Sequence, residues 1–192
     1  VDLGCGTGTA LAQIARNHPQ LKLIGVDLAP AMLKVAQITA PTAKFILGDI
    51  EQTDLASGTA DIVFSSAALQ WCDADRAVHE IRRLLKPGGR LLVATFGPGT
   101  LQQIRQAWAD VCPTANRVHD LVPIDELKAT LKACNFQDIE MSQSGHDIIF
   151  PSIDAMLDSV RKLGATYAGD DRKHHPVSKS DYHRFRERLS EL

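Results

Sequence analysis

The sequence predicts an α/β protein in which helices cover both faces of a mostly parallel sheet. Three observations carry that prediction. Through the first hundred residues, short apolar runs alternate with segments of helical period. Those runs are apolar throughout instead of alternating apolar with polar, which is the pattern of strands buried on both faces. A glycine-rich loop, Gly4-Cys5-Gly6-Thr7-Gly8, joins the first run to the first helical segment, the kind of βα junction from which doubly wound sheets are built.

Each element follows from its residues. Residues 1–3 form the end of a strand. A strand usually runs to about five or six residues, so the sequence is expected to open inside one, as a fragment. Residues 9–18 place Ala10, Leu11, Ile14 and Ala15 on one helical face. Residues 21–26 make a strand ending at Asp27, and Pro30 suits the first turn of a helix continuing over residues 32–40. Residues 44–47 are a short strand before Gly48-Asp49, and residues 61–65 are a fourth. Residues 73–85 form a helix with Ala77, Val78, Ile81, Leu84 and Leu85 inward. Lys86-Pro87-Gly88-Gly89 is a turn into a fifth strand over residues 90–96. Beyond it the character changes. Residues 101–111, 123–134, 153–163 and 180–192 read as helices, 112–122 as a polar linker and 169–179 as an exposed loop. Residues 138–150, with Ile139, Met141, Ile148, Ile149 and Phe150, have the composition of a sixth strand.

Composition excludes several classes. The chain has 192 residues, 21 Lys+Arg, 23 Asp+Glu and a net charge of −2. That is one domain's length with no electrostatic footprint for nucleic acid or an anionic membrane. No apolar run approaches the roughly 18 residues of a membrane span. Cys5, Cys72, Cys112 and Cys134 are scattered without metal-ligand spacing, so free thiols in a reducing cytoplasm and no metal are expected. His174-His175 lack a carboxylate or thiol at ligand spacing.

The glycine loop follows Asp2, and Asp27 lies 19 residues after Gly8 at the end of the next strand. Glycines allow close ligand approach, and an acid there can accept from both ribose hydroxyls. A nucleoside-containing ligand across the first two strands is one reading; a generic sheet whose glycines only make turns is the other. The GxGxG spacing is neither the GxGxxG dinucleotide fingerprint nor a phosphate-binding GxxxxGK[ST] loop. Asp2 with GxGxG, Gly48-Asp49-Ile50, and Lys86-Pro87-Gly88-Gly89 before a strand, in that order, resemble the motifs of class I S-adenosylmethionine-dependent methyltransferases. The resemblance implies a Rossmann-like three-layer sandwich of strand order 3-2-1-4-5, the sixth strand beside the fifth. It implies a single methyltransferase domain over 1–192, with a cofactor-binding core at 1–111 and a substrate side at 112–192. It implies S-adenosyl-L-methionine as methyl donor, held by Asp2, Gly4, Gly6, Gly8, Asp27, Leu28, Asp49, Ile50 and Ser66.

Further segments sharpen this. Ala68-Leu69-Gln70-Trp71-Cys72 follows the fourth strand and Gly97-Pro98-Gly99-Thr100-Leu101 the fifth, with Asn116-Arg117 and His119-Asp120 in the linker. They resemble the malonyl-acyl-carrier protein O-methyltransferases of biotin synthesis. Val118 departs from the family's usual Phe, and Arg172-Lys173-His174-His175-Pro176 follows its Arg-x-Gly-Leu stretch only loosely. The family has a helical N-terminal segment and a last antiparallel strand, both expected to be missing from this fragment. The resemblance implies methylation of a malonyl carboxylate delivered by an acyl-carrier protein or coenzyme A, with Gln70, Trp71, Asn116 and Arg117 on the substrate side. No catalytic acid or base is implied, because alignment and desolvation carry methyl transfer from a sulfonium. Trp71 suits a pocket wall or a core aromatic, and Arg117 a carboxylate clamp or a solvated linker residue. An aconitate-type carboxyl methyltransferase and a non-catalytic assembly factor are the competing functions.

Overall fold

The computed structural model describes residues 1–113, 121–162 and 177–192. The chain divides into two compact units, one of Val1–Gly97 with Val122–Met141 and one of Pro98–Leu121 with Ser142–Leu192.

The first unit holds β1 (Asp2–Leu3), α1 (Thr9–Asn17), β2 (Ile24–Asp27), α2 (Pro30–Thr39), β3 (Lys44–Leu47), β4 (Ala60–Ser66), α3 (Ala74–Leu84) and β5 (Leu85–Ala94). In the second unit α4 is Gln102–Val111, while α5 (Ile124–Ala133) returns to the first. The sheet runs β3-β2-β1-β4-β5 with every pairing parallel, which is the expected order.

Alternation along the strands feeds two helical layers. Gly25 faces α1, where Cys5, Phe45 and Leu11 leave no room for a side chain. On that side Leu11, Ala12, Leu33 and Ala40 pack with Phe45 and Leu23. Val26 points the other way and is fully buried with Leu3, Val63, Ile81 and Leu84 beneath α3. Each such side chain contributes about 1.5–3 kcal/mol by leaving water. Asp73 caps α3 by accepting from the Arg76 N–H at 3.0 Å. Outside α3, α5 adds Leu127 and Leu131 to Val78.

Two expectations change. The Lys86-Pro87-Gly88-Gly89 turn lies inside the span of β5 as a bulge, because the register passes from Ala60↔Leu85 to Ile62↔Arg90 and Gly88 adopts φ +76°. And residues 138–150 form no strand. Asp138 has a left-handed backbone, φ 52°, which ends extended structure where it would start. Ile139 and Met141 dock on the α3–α5 cluster as irregular chain. The unit boundary follows at Met141, and Ile148 and Ile149 are 73% and 94% exposed. A sheet-forming composition needs a ladder partner, and among the described residues this segment has none.

The second unit packs α4 with α6 (Ile153–Lys162) and α7 (Lys179–Ser190) around Ile104, Ala107, Phe185 and Leu189. Trp108 stacks on Phe185 with ring centroids 4.0 Å apart. Ion pairs Arg186–Asp154 and Arg188–Asp110 link the helices. α4 thus belongs to this unit, and α5 to the unit that holds the sheet.

Candidate active site

Parallel pairing brings the carboxyl ends of β1, β2, β3 and β4 to one edge, where the cofactor candidates lie. Asp2 stands in register with Gly25 and Phe64 and is 2% exposed. Among the described residues no hydrogen bond reaches its carboxylate. Burial pushes its pKa from 3.8 up to about 6, reinforced by Asp27. A buried carboxylate without a donor is costly and marks a place for a cationic or hydrogen-bonding group.

The loop above it is shaped by its glycines. The N–H groups of Gly4 and Cys5 both donate to the Val26 carbonyl, at 2.8 and 3.0 Å. Gly4 has φ +77°, and a Cβ there would lie 2.2 Å from that of Ala68, so the loop after β4 rests directly on it. A Cβ on Gly6 would meet nothing within 4 Å, leaving open space over the backbone. Gly8 caps α1, whose first turn has neither a side-chain cap nor an acidic residue.

Asp27 closes β2. Its Oδ2 accepts from the Gly6 N–H at 2.8 Å and its Oδ1 from the Ala29 N–H at 2.9 Å. The two bonds fix the carboxylate and leave each oxygen a further acceptor site. Leu28, beside it, is 70% exposed. After β3, the Asp49 side chain is exposed and takes the Glu51 N–H at 2.9 Å, while Ile50 packs on the core and offers the edge only its backbone. Ser66 is the last, exposed residue of β4. Gln70 and Trp71 follow in a single 3-10 turn, Leu69–Trp71. Trp71 is 43% exposed, which excludes the core reading. Asn116 and Arg117 lie outside the described residues.

The Cys5 thiol is buried and pushed up to about 12, by burial first and then by Asp2 and Asp27, so it stays protonated. His79 is exposed on α3. All four cysteines are unpaired, and among the described residues no His/Cys/Asp/Glu group is arranged to hold a metal.

Two features escaped the sequence reading. Glu51 accepts from the Asp73 N–H at 2.8 Å and pairs with Arg76 at 3.0 Å, tying the Asp49-Ile50 loop to the start of α3. The acid directly after Gly48-Asp49-Ile50 was its only sequence signal. Glu80, 7% exposed, sits on the inward face of α3. It takes the N–H and hydroxyl of Thr53 at 2.7 and 2.6 Å and, through its two oxygens, the Nε and Nη2 of Arg83. Burial alone would raise its pKa; the hydrogen bonds from Arg83 and Thr53 outweigh it and hold the carboxyl below its usual range.

A parallel 3-2-1-4-5 sheet with a glycine loop after β1, a buried acid before it and acids ending β2 and following β3 defines a class I methyltransferase of Rossmann-like fold. Residues 1–93 match a family model described as a methyltransferase domain. The chain is 32% identical over 182 residues to the malonyl-acyl-carrier protein O-methyltransferase of Dechloromonas aromatica, covering 95% of this chain and 68% of that one. It is 32% identical over 196 residues to the protein of the same name from Methylococcus capsulatus, covering 100% and 71%. The YcgJ protein of Bacillus subtilis superposes with a TM-score of 0.64 at 20% identity, over 95% of this chain and 79% of that one, a likeness of fold. The chain belongs to the malonyl-acyl-carrier protein O-methyltransferase family.

Proposed function

We propose that this chain transfers the methyl group of S-adenosylmethionine to the free carboxylate of a malonyl thioester, giving the methyl ester that starts pimeloyl assembly for biotin. The observation that carries the reading is the buried Asp2, whose carboxylate no hydrogen bond reaches among the described residues, just before a glycine loop that is open at Gly6 and fixed to Asp27, in a chain of this family. When bound, S-adenosylmethionine supplies a sulfonium methyl already activated for displacement. Asp2 suits the ammonium of the methionine moiety, which would complete its missing charge partner. The uncapped N-terminus of α1 favours the anionic carboxylate. Asp27 accepts from the ribose hydroxyls, and Asp49 with the Ile50 backbone faces the adenine. Ser66 closes the edge on the β4 side.

The malonyl carboxylate is ionised at neutral pH and needs no general base. It needs in-line placement about 3–3.5 Å from the methyl carbon and exclusion of water. Gln70, Trp71, Asn116 and Arg117 are the substrate-side residues of this reading. A planar guanidinium grips one carboxylate edge while the other oxygen attacks. The acyl group arrives on an acyl-carrier protein, with malonyl-coenzyme A as the smaller alternative. The chemistry involves no nucleic acid, membrane or metal and takes place in the cytoplasm. Among the described residues no helix is long and apolar enough to cross a membrane.

The test is methyl transfer with malonyl-carrier protein, malonyl-coenzyme A and free diacids side by side. Selective esterification of the malonyl thioester supports the reading. Transfer to free diacids alone moves the chain to the aconitate type. Failure to bind S-adenosylmethionine or S-adenosylhomocysteine refutes an enzymatic role.

A further inference from the structure

We propose that Gln70 is a positioning residue, whose side-chain amide locks Ala67 in a left-handed backbone conformation and thereby holds the β4 loop against the glycine loop. The inference rests on the cofactor site described above, and goes beyond it in giving Gln70, besides its place on the substrate side, a task within the protein.

The geometry is specific. Ala67 has φ 54°, a conformation in which the alanine Cβ crowds its own backbone and which glycine adopts freely. Two hydrogen bonds hold it there. Its N–H donates to the Ala94 carbonyl at 2.8 Å, and its carbonyl accepts from the Gln70 Nε2 at 2.7 Å. A carbonyl only accepts, so this contact fixes which way the Gln70 amide faces. The Gln70 Oε1 then accepts from the Thr95 hydroxyl at 3.2 Å, just beyond the end of β5. Both ends of the amide are therefore engaged within the protein, bridging the β4 loop to the end of β5.

The consequence reaches the cofactor edge because Ala68 lies directly over Gly4. Were Ala67 to relax to an ordinary φ, the chain direction at Ala68 would change. The cover over Gly4 and the neighbouring Ser66 would move with it. Gln70 thus acts on cofactor binding through Ala67, and the alanine at position 67 makes the clamp necessary.

The decisive experiment is a rescue. Calorimetric affinity for S-adenosylhomocysteine is measured for wild type, Gln70→Ala, Thr95→Val, and Gln70→Ala combined with Ala67→Gly. Gln70→Ala should weaken binding by about tenfold, the scale set by a left-handed alanine. Thr95→Val should weaken it by a smaller factor. Adding Ala67→Gly to Gln70→Ala should restore binding to within about twofold of wild type, because glycine holds the conformation unaided. An unrescued double variant overturns the proposal, as does a Gln70→Ala variant that binds normally while its Michaelis constant for the malonyl thioester rises. The binding readout does not depend on the acyl substrate, so a wild type that binds S-adenosylhomocysteine but leaves malonyl thioesters unmethylated refutes the substrate reading and leaves this test intact.

Discussion

Replacing Asp2 by Asn should make the ligand-free protein more stable at neutral pH and a poorer methyl-donor binder. The carboxylate is 2% exposed, and burial raises its pKa from 3.8 to about 6. An acid with a raised native pKa costs stability as it ionises. Below about pH 4 both folded and unfolded states are protonated and the cost is absent. It grows through the window between 3.8 and about 6 and is complete above it. That rise corresponds to about 3 kcal/mol at neutral pH. Asn has the same shape and never ionises. In urea unfolding followed by circular dichroism, the two proteins should differ by a few tenths of a kcal/mol at pH 4. At pH 7.5 the variant should be ahead by about 2–3 kcal/mol, a midpoint shift of about 1 M urea. Calorimetry at pH 7.5 should show S-adenosylmethionine affinity down by roughly tenfold or more, since a charge-assisted contact is lost. A stability difference that is the same at both pH values would refute the argument, because it would show that Asp2 ionises in the fold without cost.

Other sites give narrower tests. Asp27→Ala removes charge-assisted bonds worth roughly 1.5–3 kcal/mol, so the calorimetric dissociation constant for S-adenosylmethionine should rise about tenfold to a hundredfold; an unchanged constant in a folded variant removes the ribose role. Glu80→Ala leaves the Thr53 N–H without its acceptor and the Arg83 guanidinium without its carboxylate and should cost roughly 2–4 kcal/mol in urea unfolding. The depressed carboxyl stabilises the fold above its unfolded value of 4.5, and that contribution fades as pH falls through the lower native value. Arg117→Ala should raise the Michaelis constant for malonyl thioester with a smaller fall in turnover and no change in donor affinity, and Arg117→Lys should restore it only in part because the bidentate geometry is lost. Wild-type kinetics for Arg117→Ala would return that residue to the solvated surface.

Local chemistry made the sheet and its cofactor edge legible before any coordinates. Continuous apolar runs marked β2 to β5 to within a few residues, the pattern of strands buried on both faces, although Leu47, Ile62 and Leu92 stay about half exposed. Gly4, Gly6 and Gly8 pointed to backbone that only glycine adopts freely, and all three have positive φ. Asp27 announced itself by standing where β2 ends. Tertiary structure decided what composition cannot encode. Residues 138–150 have strand-forming side chains, yet with no ladder partner among the described residues and a left-handed Asp138 they remain irregular. The place of Gln70 after β4 reads as a substrate-side position, while the groups its side chain bonds depend on which backbone folds beside it. Here the neighbours are the Ala67 carbonyl and the Thr95 hydroxyl, the latter 25 residues away in sequence. Glu51 and Glu80 are further cases, one bonded to Asp73 and the other to Thr53. Periodicity and turn chemistry are local and could be read along the chain; burial and hydrogen bonding between distant segments exist only once the chain has closed on itself.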